Sequence, residues 1–106
     1  QGEADHAAKR VATYPDRFAA MIAGMKKDIG VGDVPILVGE LGRYRTNFLA
    51  FNAMLPSLTG RVSNCAIVSS EGLKPKTDNL HFDSPSLRTF GSRYAEALLK
   101  LQPARP

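Results

Sequence analysis

Asp78 and His81 lie three positions apart, and their types and spacing suit catalysis better than those of any other pair in the sequence. A neutral histidine is the usual general base for a serine hydroxyl, and a carboxylate on its other ring nitrogen fixes the tautomer. Because one tight turn can join residues at this spacing, we predict a hydrogen bond between an Asp78 carboxylate oxygen and Nδ1 of His81. No obvious nucleophile accompanies the pair.

The same pair also has a structural interpretation. The carboxylate could cap a turn and the imidazole could pack against the start of the next helix, and short motifs of this kind often arise by chance. Asp83 is an alternative partner for His81, although capping of the following helix together with Ser84 explains it adequately. Spacing alone therefore favours the structural interpretation.

Other polar residues give weaker signals. His6, near Asp5 and Glu3, could belong to a metal cluster, but no third ligand stands at a recognisable spacing, and we predict an exposed histidine. Ser69 and Ser70 follow an apolar run, where a nucleophile could stand. They lack the Gly-x-Ser-x-Gly context of a nucleophile elbow, so we interpret them as turn residues.

Composition limits the kind of protein. The 106 residues suit one small domain, and 43% of them are hydrophobic, an ordinary share for a globular chain. No apolar run approaches the roughly 18 residues of a membrane span, so we predict no membrane partner.

The single Cys65 cannot form an internal disulfide and leaves the compartment open, and we predict that it is buried. A secreted or periplasmic location is compatible with the sequence.

The formal net charge of +4 raises the question of a polyanionic partner. The basic residues are scattered, however, and no aromatic residues alternate with them as in nucleic-acid-binding motifs. We therefore predict no nucleic-acid partner and interpret these residues as solvated charge. Arg43, Tyr44 and Arg45 could line a sugar site, and surface charge explains them equally well.

Hydrophobic periodicity predicts alternating helices and strands. The predicted elements are a helix from Pro15 to a stop at Gly30, a strand over 34–39, a helix over 46–55, a strand over 62–68, and a helix that Ser84 caps, Pro85 begins and Pro103 ends. The first helix carries an apolar stripe that we predict to be core, namely Phe18, Met21, Ile22, Met25 and Ile29.

Both predicted strands are continuously apolar, which is typical of a parallel sheet buried on both faces. Alternation with helices then predicts an α/β protein in which helices cover the sheet. With two or three strands, such a sheet would keep an unpaired hydrophobic edge. Ligand sites in open α/β sheets lie beyond the carboxyl ends of the strands, and we expect the loops at 39–42 and 78–81 there.

Three segments in order resemble one known family. Gln-Gly-Glu-Ala-Asp at 1–5 resembles the Gln-Gly-Glu-x-Asp motif of the sialate O-acetylesterase-like and carbohydrate esterase family 6 (acetyl xylan esterase) proteins, in the SGNH hydrolase superfamily. Val-Pro-Ile-Leu-Val-Gly-Glu-Leu-Gly at 34–42 is similar to the strand and loop that follow there. Asp-Asn-Leu-His-Phe at 78–82, with the helix around 91–95, resembles the C-terminal catalytic block.

The resemblance implies a three-layer α/β/α sandwich with a parallel, flavodoxin-like sheet, of which this chain holds only the C-terminal part. It implies a serine-dependent carbohydrate O-acetylesterase that acts on acetylated sugars such as xylan or sialic acid, without metal or organic cofactor. Asp78 and His81 would be the acid and base of a Ser-His-Asp triad. Gln1 would donate a hydrogen bond to the oxyanion, and Glu3 would support its loop.

The family's serine stands near its N-terminus, in a Gly-Gln-Ser-type turn after the first strand, and this sequence has no such segment. We therefore expect 1–106 to be the C-terminal portion of a single hydrolase domain, partnered by the N-terminal half on the same or a separate chain. Two alternatives stay open: a non-catalytic carbohydrate-binding or interaction protein that retains the SGNH fold, and a flavodoxin-like module for a phosphate-bearing ligand. The latter is weaker because no glycine-rich phosphate loop opens a helix.

Overall fold

The structure is a computed structural model that describes residues 2–102. Its helices and strands are α1 (Ala8–Ile29), β1 (Ile36–Gly39), α2 (Leu49–Met54), β2 (Cys65–Val68) and α3 (Ser84–Leu101), with 3₁₀ turns at Glu3–Asp5, Thr46–Phe48 and Leu55–Gly60. The order of helices and strands agrees with the prediction, and the α/β class is confirmed.

Strands β1 and β2 pair in parallel, from Ile36 opposite Cys65 to Gly39 opposite Val68. Within residues 2–102 they form a two-stranded sheet, which confirms the predicted parallel pairing. Cys65 is partly rather than fully buried, and this burial raises the pKa of its thiol.

Both strands begin later than predicted. Pro35 precedes β1 and has no N–H to give to a neighbouring strand. Before β2, Asn64 has a left-handed backbone with φ of 56°, and Val62 still donates its N–H to Leu58 O at 2.9 Å. After the 3₁₀ turn ends at Gly60, the chain therefore stays in turns and becomes extended only at Cys65.

Apolar side chains fill both sides of the sheet, because successive residues of a strand face opposite ways. Helices α1 and α2 and the 3₁₀ turn after α2 cover one face, where the buried core consists of Phe18, Ile22, Leu41, Phe48, Phe51, Leu55, Leu58 and Val62. Helix α3 covers the other face, where the buried residues are Val68, Leu73 and Phe90. The layers are therefore helix, sheet and helix.

Helix α1 begins at Ala8, so the predicted start at Pro15 is wrong. A proline within a helix lacks the N–H for one helical hydrogen bond, and such a helix needs other stabilising contacts. One such contact is the burial of the Pro15 ring itself; nearby, Nη2 of Arg17 donates to the Arg10 carbonyl at 2.9 Å. Gly30 ends the helix as predicted, with φ of 76°.

Part of the predicted apolar stripe of α1 is not core. Phe18 and Ile22 are buried, but Met21, Met25 and Ile29 are 51%, 50% and 67% exposed. Among residues 2–102 the sheet has only β1 and β2. Phe18 and Ile22 pack into the core that α1 shares with α2 and the 3₁₀ turn after it, whereas the other three side chains are left uncovered.

Helix α3 is capped by Asp83, not by Ser84 as predicted. Oδ1 of Asp83 accepts from the backbone N–H of Ser86 at 2.8 Å, and Ser84 is the first residue of the helix. Hydrogen bonds from Ser86 also lower the pKa of Asp83. The alternative partner of His81 is thus engaged in capping. The predicted end at Pro103 lies outside the described residues.

Across residues 2–102, none of the helices combines the length and the apolar character that a membrane crossing needs.

Candidate active site

The turn at 78–81 is built around the carboxylate of Asp78. Its Oδ1 accepts from the N–H of Leu80 at 2.9 Å and from the N–H of His81 at 3.1 Å. Asn79, between them, has a left-handed backbone with φ of 53°, which asparagine tolerates better than most residues. An aspartate often organises a turn in this way, so the local chain fixes where the acid and the histidine lie.

The other carboxylate oxygen reaches the imidazole. Oδ2 of Asp78 lies 2.6 Å from Nδ1 of His81, and the predicted hydrogen bond is therefore confirmed. The two side chains are 44% and 65% exposed, so a substrate can approach the ring from solvent. The catalytic role of the pair stays a prediction.

This contact changes the acidity of Asp78. The hydrogen bond with the His81 ring lowers the pKa of the carboxyl from 3.8 to about 2, and the N–H groups of Leu80 and His81 add to the effect. The carboxylate is consequently ionised at neutral pH and can only accept hydrogen bonds. In a neutral ring, Nδ1 then carries the proton and Nε2 presents its lone pair, which is the tautomer that a general base needs.

The turn sits at the end of a short two-stranded hairpin. Lys76 donates its N–H to the His81 carbonyl at 2.8 Å, and Asp83 donates its N–H to the Lys74 carbonyl at 2.9 Å. Pro75 and Phe82 form an antiparallel bridge between these bonds. The backbone on both sides of the acid–base pair is therefore tied together.

Ser69 and Ser70 serve the turn after β2, in agreement with their interpretation as turn residues. Ser70 is fully buried, and its Oγ donates to the Leu41 carbonyl at 2.7 Å. The N–H of Ser70 donates to Oε1 of Glu40 at 2.7 Å, and Oγ of Ser69 accepts from the N–H of Glu71 at 3.1 Å. A hydroxyl as buried as that of Ser70 is not accessible to a substrate.

Glu3, from the motif at 1–5, lines the same groove as His81. Burial would raise the pKa of Glu3, but hydrogen bonding to its own backbone and interactions with nearby groups lower it below its usual range. Gln1, the predicted oxyanion donor, lies outside the described residues.

His6 belongs to the structure of this segment. Its Nδ1 donates to the Glu3 carbonyl at 2.6 Å, and its ring meets Phe48 edge to face at 5.4 Å. The histidine is partly buried by these contacts, so the prediction of an exposed ring is wrong. The part of the chain from 2 to 102 contains no group of three residues that could hold a metal ion.

The sequence did not predict the role of Asn52, which holds the loop after β1. Its side-chain amide hydrogen-bonds both the N–H and the carbonyl of Leu41, at 2.8 Å and 2.9 Å. The available signal was a polar residue between Phe51 and Leu55 on the apolar face of a predicted helix.

Of the three residues proposed as sugar-lining, Arg43 pairs with Glu40, with Nη2 3.0 Å from Oε1. The other two, at 44 and 45, contact the turn at 78–81 instead.

A groove of about 700 Å³ follows the edge of β1 that does not pair with β2. It lies between the two helical layers, because Met21 and Ile22 of α1 and Leu87 of α3 all line it. Leu37 of β1 is part of its floor, and His81 stands on its wall. The acid–base pair therefore borders the open edge of the sheet.

A parallel α/β sheet with an acid–base pair in a loop beyond the carboxyl end of a strand is typical of α/β hydrolytic enzymes. Residues 1–100 match the family described as carbohydrate esterase, sialic acid-specific acetylesterase, and the chain belongs to this family. The resemblance seen in the sequence is thereby confirmed. A search of curated proteins found no significant match.

Proposed function

We propose that this protein is a carbohydrate O-acetylesterase in which Asp78 and His81 are the acid and base of a Ser-His-Asp triad. The observation that carries the proposal is the 2.6 Å contact between Asp78 Oδ2 and His81 Nδ1, in a chain that belongs to a carbohydrate esterase family. The substrate class is an O-acetylated sugar, from a xylan-type polysaccharide or a sialic acid.

The proposed reaction has two stages. Nε2 of His81 takes the proton of a serine hydroxyl while the serine oxygen attacks the acetyl carbonyl, and it then gives that proton to the departing sugar oxygen. A water molecule, which His81 deprotonates in the same way, then attacks the carbonyl of the acetyl-serine. The bond between the acetyl carbon and the serine oxygen breaks, His81 returns the proton to the serine oxygen, and acetate leaves. Asp78 stays ionised throughout and stabilises the imidazolium that forms in each stage.

Two residues of the N-terminal motif complete the proposed site. Gln1 donates a hydrogen bond to the oxyanion of the tetrahedral intermediate, a contact typically worth about 10²–10³ in rate. Glu3 supports the loop that carries it. The support for this assignment is that Glu3 and His81 line the same groove, together with the resemblance of the motif.

We infer that the serine belongs to the N-terminal half of the hydrolase domain, on the same or a separate chain, and that this half adds a parallel strand to β1. Ile36 and Glu40 donate their N–H groups to the β2 side, at 2.8 Å and 3.0 Å. Successive residues of a strand direct their backbone groups to opposite sides. The N–H and the carbonyl of Leu37 therefore point away from β2, toward the groove. Helices overhang this edge on both sides, so a strand that enters here would be buried on both faces, as in other parallel α/β sheets.

A covalent probe tests the proposal in the natural full-length protein. A fluorophosphonate forms a phosphorus–oxygen bond with an activated serine as fluoride leaves, and peptide mapping locates the label. We expect one labelled serine outside residues 2–102, no labelling in His81→Ala, and a loss of kcat on 4-nitrophenyl acetate of about 10³-fold or more in that variant.

Labelling of Ser69 would contradict the assignment of the nucleophile. Full turnover in His81→Ala would contradict the mechanism. Binding of an acetylated oligosaccharide without labelling or hydrolysis would identify the alternative, a non-catalytic carbohydrate-binding protein with the same fold.

A further inference from the structure

Tyr44 reaches from the loop after β1 to the turn that holds the acid–base pair. Its hydroxyl donates to the Leu80 carbonyl at 2.6 Å. Its ring lies directly on Gly42, where a Cβ atom would overlap it. The ring also meets Phe82 edge to face, with the centroids 5.8 Å apart and the planes at 89°. The position of the hydroxyl is therefore fixed by contacts on two sides of the ring.

The carbonyl that Tyr44 contacts belongs to the peptide bond between Leu80 and His81. The N–H of this same peptide donates to Oδ1 of Asp78 at 3.1 Å. A hydrogen bond to a carbonyl oxygen polarises the peptide and strengthens the bond that its N–H donates. The hydroxyl of Tyr44 is thus coupled, through one peptide group, to the carboxylate that orients the His81 ring.

The surroundings of Tyr44 keep its hydroxyl protonated, so this group can donate a hydrogen bond. Burial raises the pKa of its phenol, and the negative charges of Asp78 and Glu3 raise it further, so the hydroxyl keeps its proton at neutral pH. A second contact joins the same two loops, because Nη1 of Arg45 donates to the Asn79 carbonyl at 3.3 Å. The loop after β1 therefore holds two consecutive carbonyls of the turn.

We propose that Tyr44 is a positioning residue for the Asp78–His81 pair and acts on it through the Leu80–His81 peptide. The inference rests on the proposed esterase function, and it assigns to Tyr44 an effect on the chemical step. Substrate binding need not change, since the hydroxyl is already used by the Leu80 carbonyl.

Tyr44→Phe is the primary test, in the natural full-length protein with 4-nitrophenyl acetate as substrate. The variant keeps the ring and loses one hydrogen bond, so kcat should fall about 3- to 10-fold while KM stays within about twofold. Tyr14→Phe is the matched control. Tyr14 lies in α1 and its ring packs against Phe18 and Phe51, so this variant should keep the kcat of the parent protein.

Gly42→Ala provides a second, independent test. The added methyl group would push the Tyr44 ring from its position while the hydroxyl is retained, and kcat should fall at least as far as in Tyr44→Phe. Activities are measured well below the melting temperature of each variant and are normalised to the concentration of folded protein. A loss of kcat that disappears under these conditions would reflect stability alone and would overturn the proposal.

A proton NMR measurement distinguishes positioning from a general loss of structure. The proton between His81 Nδ1 and Asp78 should exchange faster with water in Tyr44→Phe than in the parent or in Tyr14→Phe. Unchanged exchange and unchanged kcat in Tyr44→Phe would refute the role of Tyr44 even if His81→Ala is inactive. Full activity of His81→Ala would instead refute the esterase mechanism itself, so the two failures are distinguishable.

Discussion

Asn52 makes hydrogen bonds to both backbone groups of Leu41, in the loop after β1. Its Oδ1 accepts from the Leu41 N–H at 2.8 Å and its Nδ2 donates to the Leu41 carbonyl at 2.9 Å. The asparagine is 7% exposed and Leu41 is 4% exposed, so water cannot replace either bond. A helix side chain thus holds the backbone two residues beyond the end of β1 and fixes the start of the loop that carries Tyr44.

Asn52→Ala should lower the free energy of unfolding by about 2–4 kcal/mol, because two buried backbone groups of Leu41 would lose their partners. Denaturant unfolding measures the change. Asn47→Ala is the matched control: Asn47 is exposed, and its loss should cost less than about 0.5 kcal/mol. A cost below about 1 kcal/mol for Asn52→Ala would show that the paired bonds contribute little.

Asp78→Asn and His81→Ala should differ in residual esterase activity. In the proposed mechanism, the serine has no base without His81, whereas without the Asp78 charge the base is poorly oriented or in the wrong tautomer. We expect Asp78→Asn to keep a weak activity, about 10³–10⁴-fold below the parent kcat, and His81→Ala to fall further. Asp28→Asn, an exposed carboxylate of α1, should be fully active. Equal residual activity in the two site variants would contradict separate roles.

The stabilising effect of Asp78 should disappear in acid. Its pKa is lowered from 3.8 to about 2 in the folded protein, so folding favours the ionised form. The resulting stabilisation is fully present above about pH 4 and is lost as the pH falls through about 2. The parent protein should therefore unfold at higher denaturant than Asp78→Asn at pH 7, and the difference should shrink between pH 4 and pH 2. A difference that is independent of pH would contradict the ionised pair.

Gly39→Ala should destabilise the protein by about 1–3 kcal/mol, because the added Cβ would overlap the Tyr94 hydroxyl and come within 2.8 Å of Cζ of Phe90. Gly91→Ala is the matched control within α3. Apart from the neighbouring residues and the backbone of α3 itself, nothing lies within 4 Å of a Cβ at that position. Alanine favours a helix, so this variant should be more stable by up to about 1 kcal/mol. Thermal unfolding of both variants decides whether the close contact at the end of β1 matters.

The sequence predicted best those features that depend on neighbouring residues. The contact between Asp78 and His81 spans three positions and follows from an aspartate turn. The order of elements and the parallel sheet follow from continuous apolar strands between helices. The stop of α1 at Gly30 follows from the conformational freedom of glycine.

Features that depend on distant residues were not predictable in this way. The bond from Tyr44 to Leu80 spans 36 positions, and the one from Glu40 to Ser70 spans 30, distances over which no local pattern carries information. The start of α1 was missed because proline is favoured at the first position of a helix, so Pro15 was interpreted as the beginning. Helix α1 tolerates Pro15 in its interior because of contacts that form only in the folded chain.

The short span between Asp78 and His81 has a consequence for the order of folding. A turn of a few residues closes in microseconds or less, whereas a strand that pairs across a parallel sheet requires a long chain closure and forms slowly. The acid and base would thus be in contact early in folding, while the edge of β1 is still open. If the nucleophile enters along that edge, the slow closure of the sheet is the event that turns on hydrolysis, and no ester can be cleaved by a half-folded intermediate.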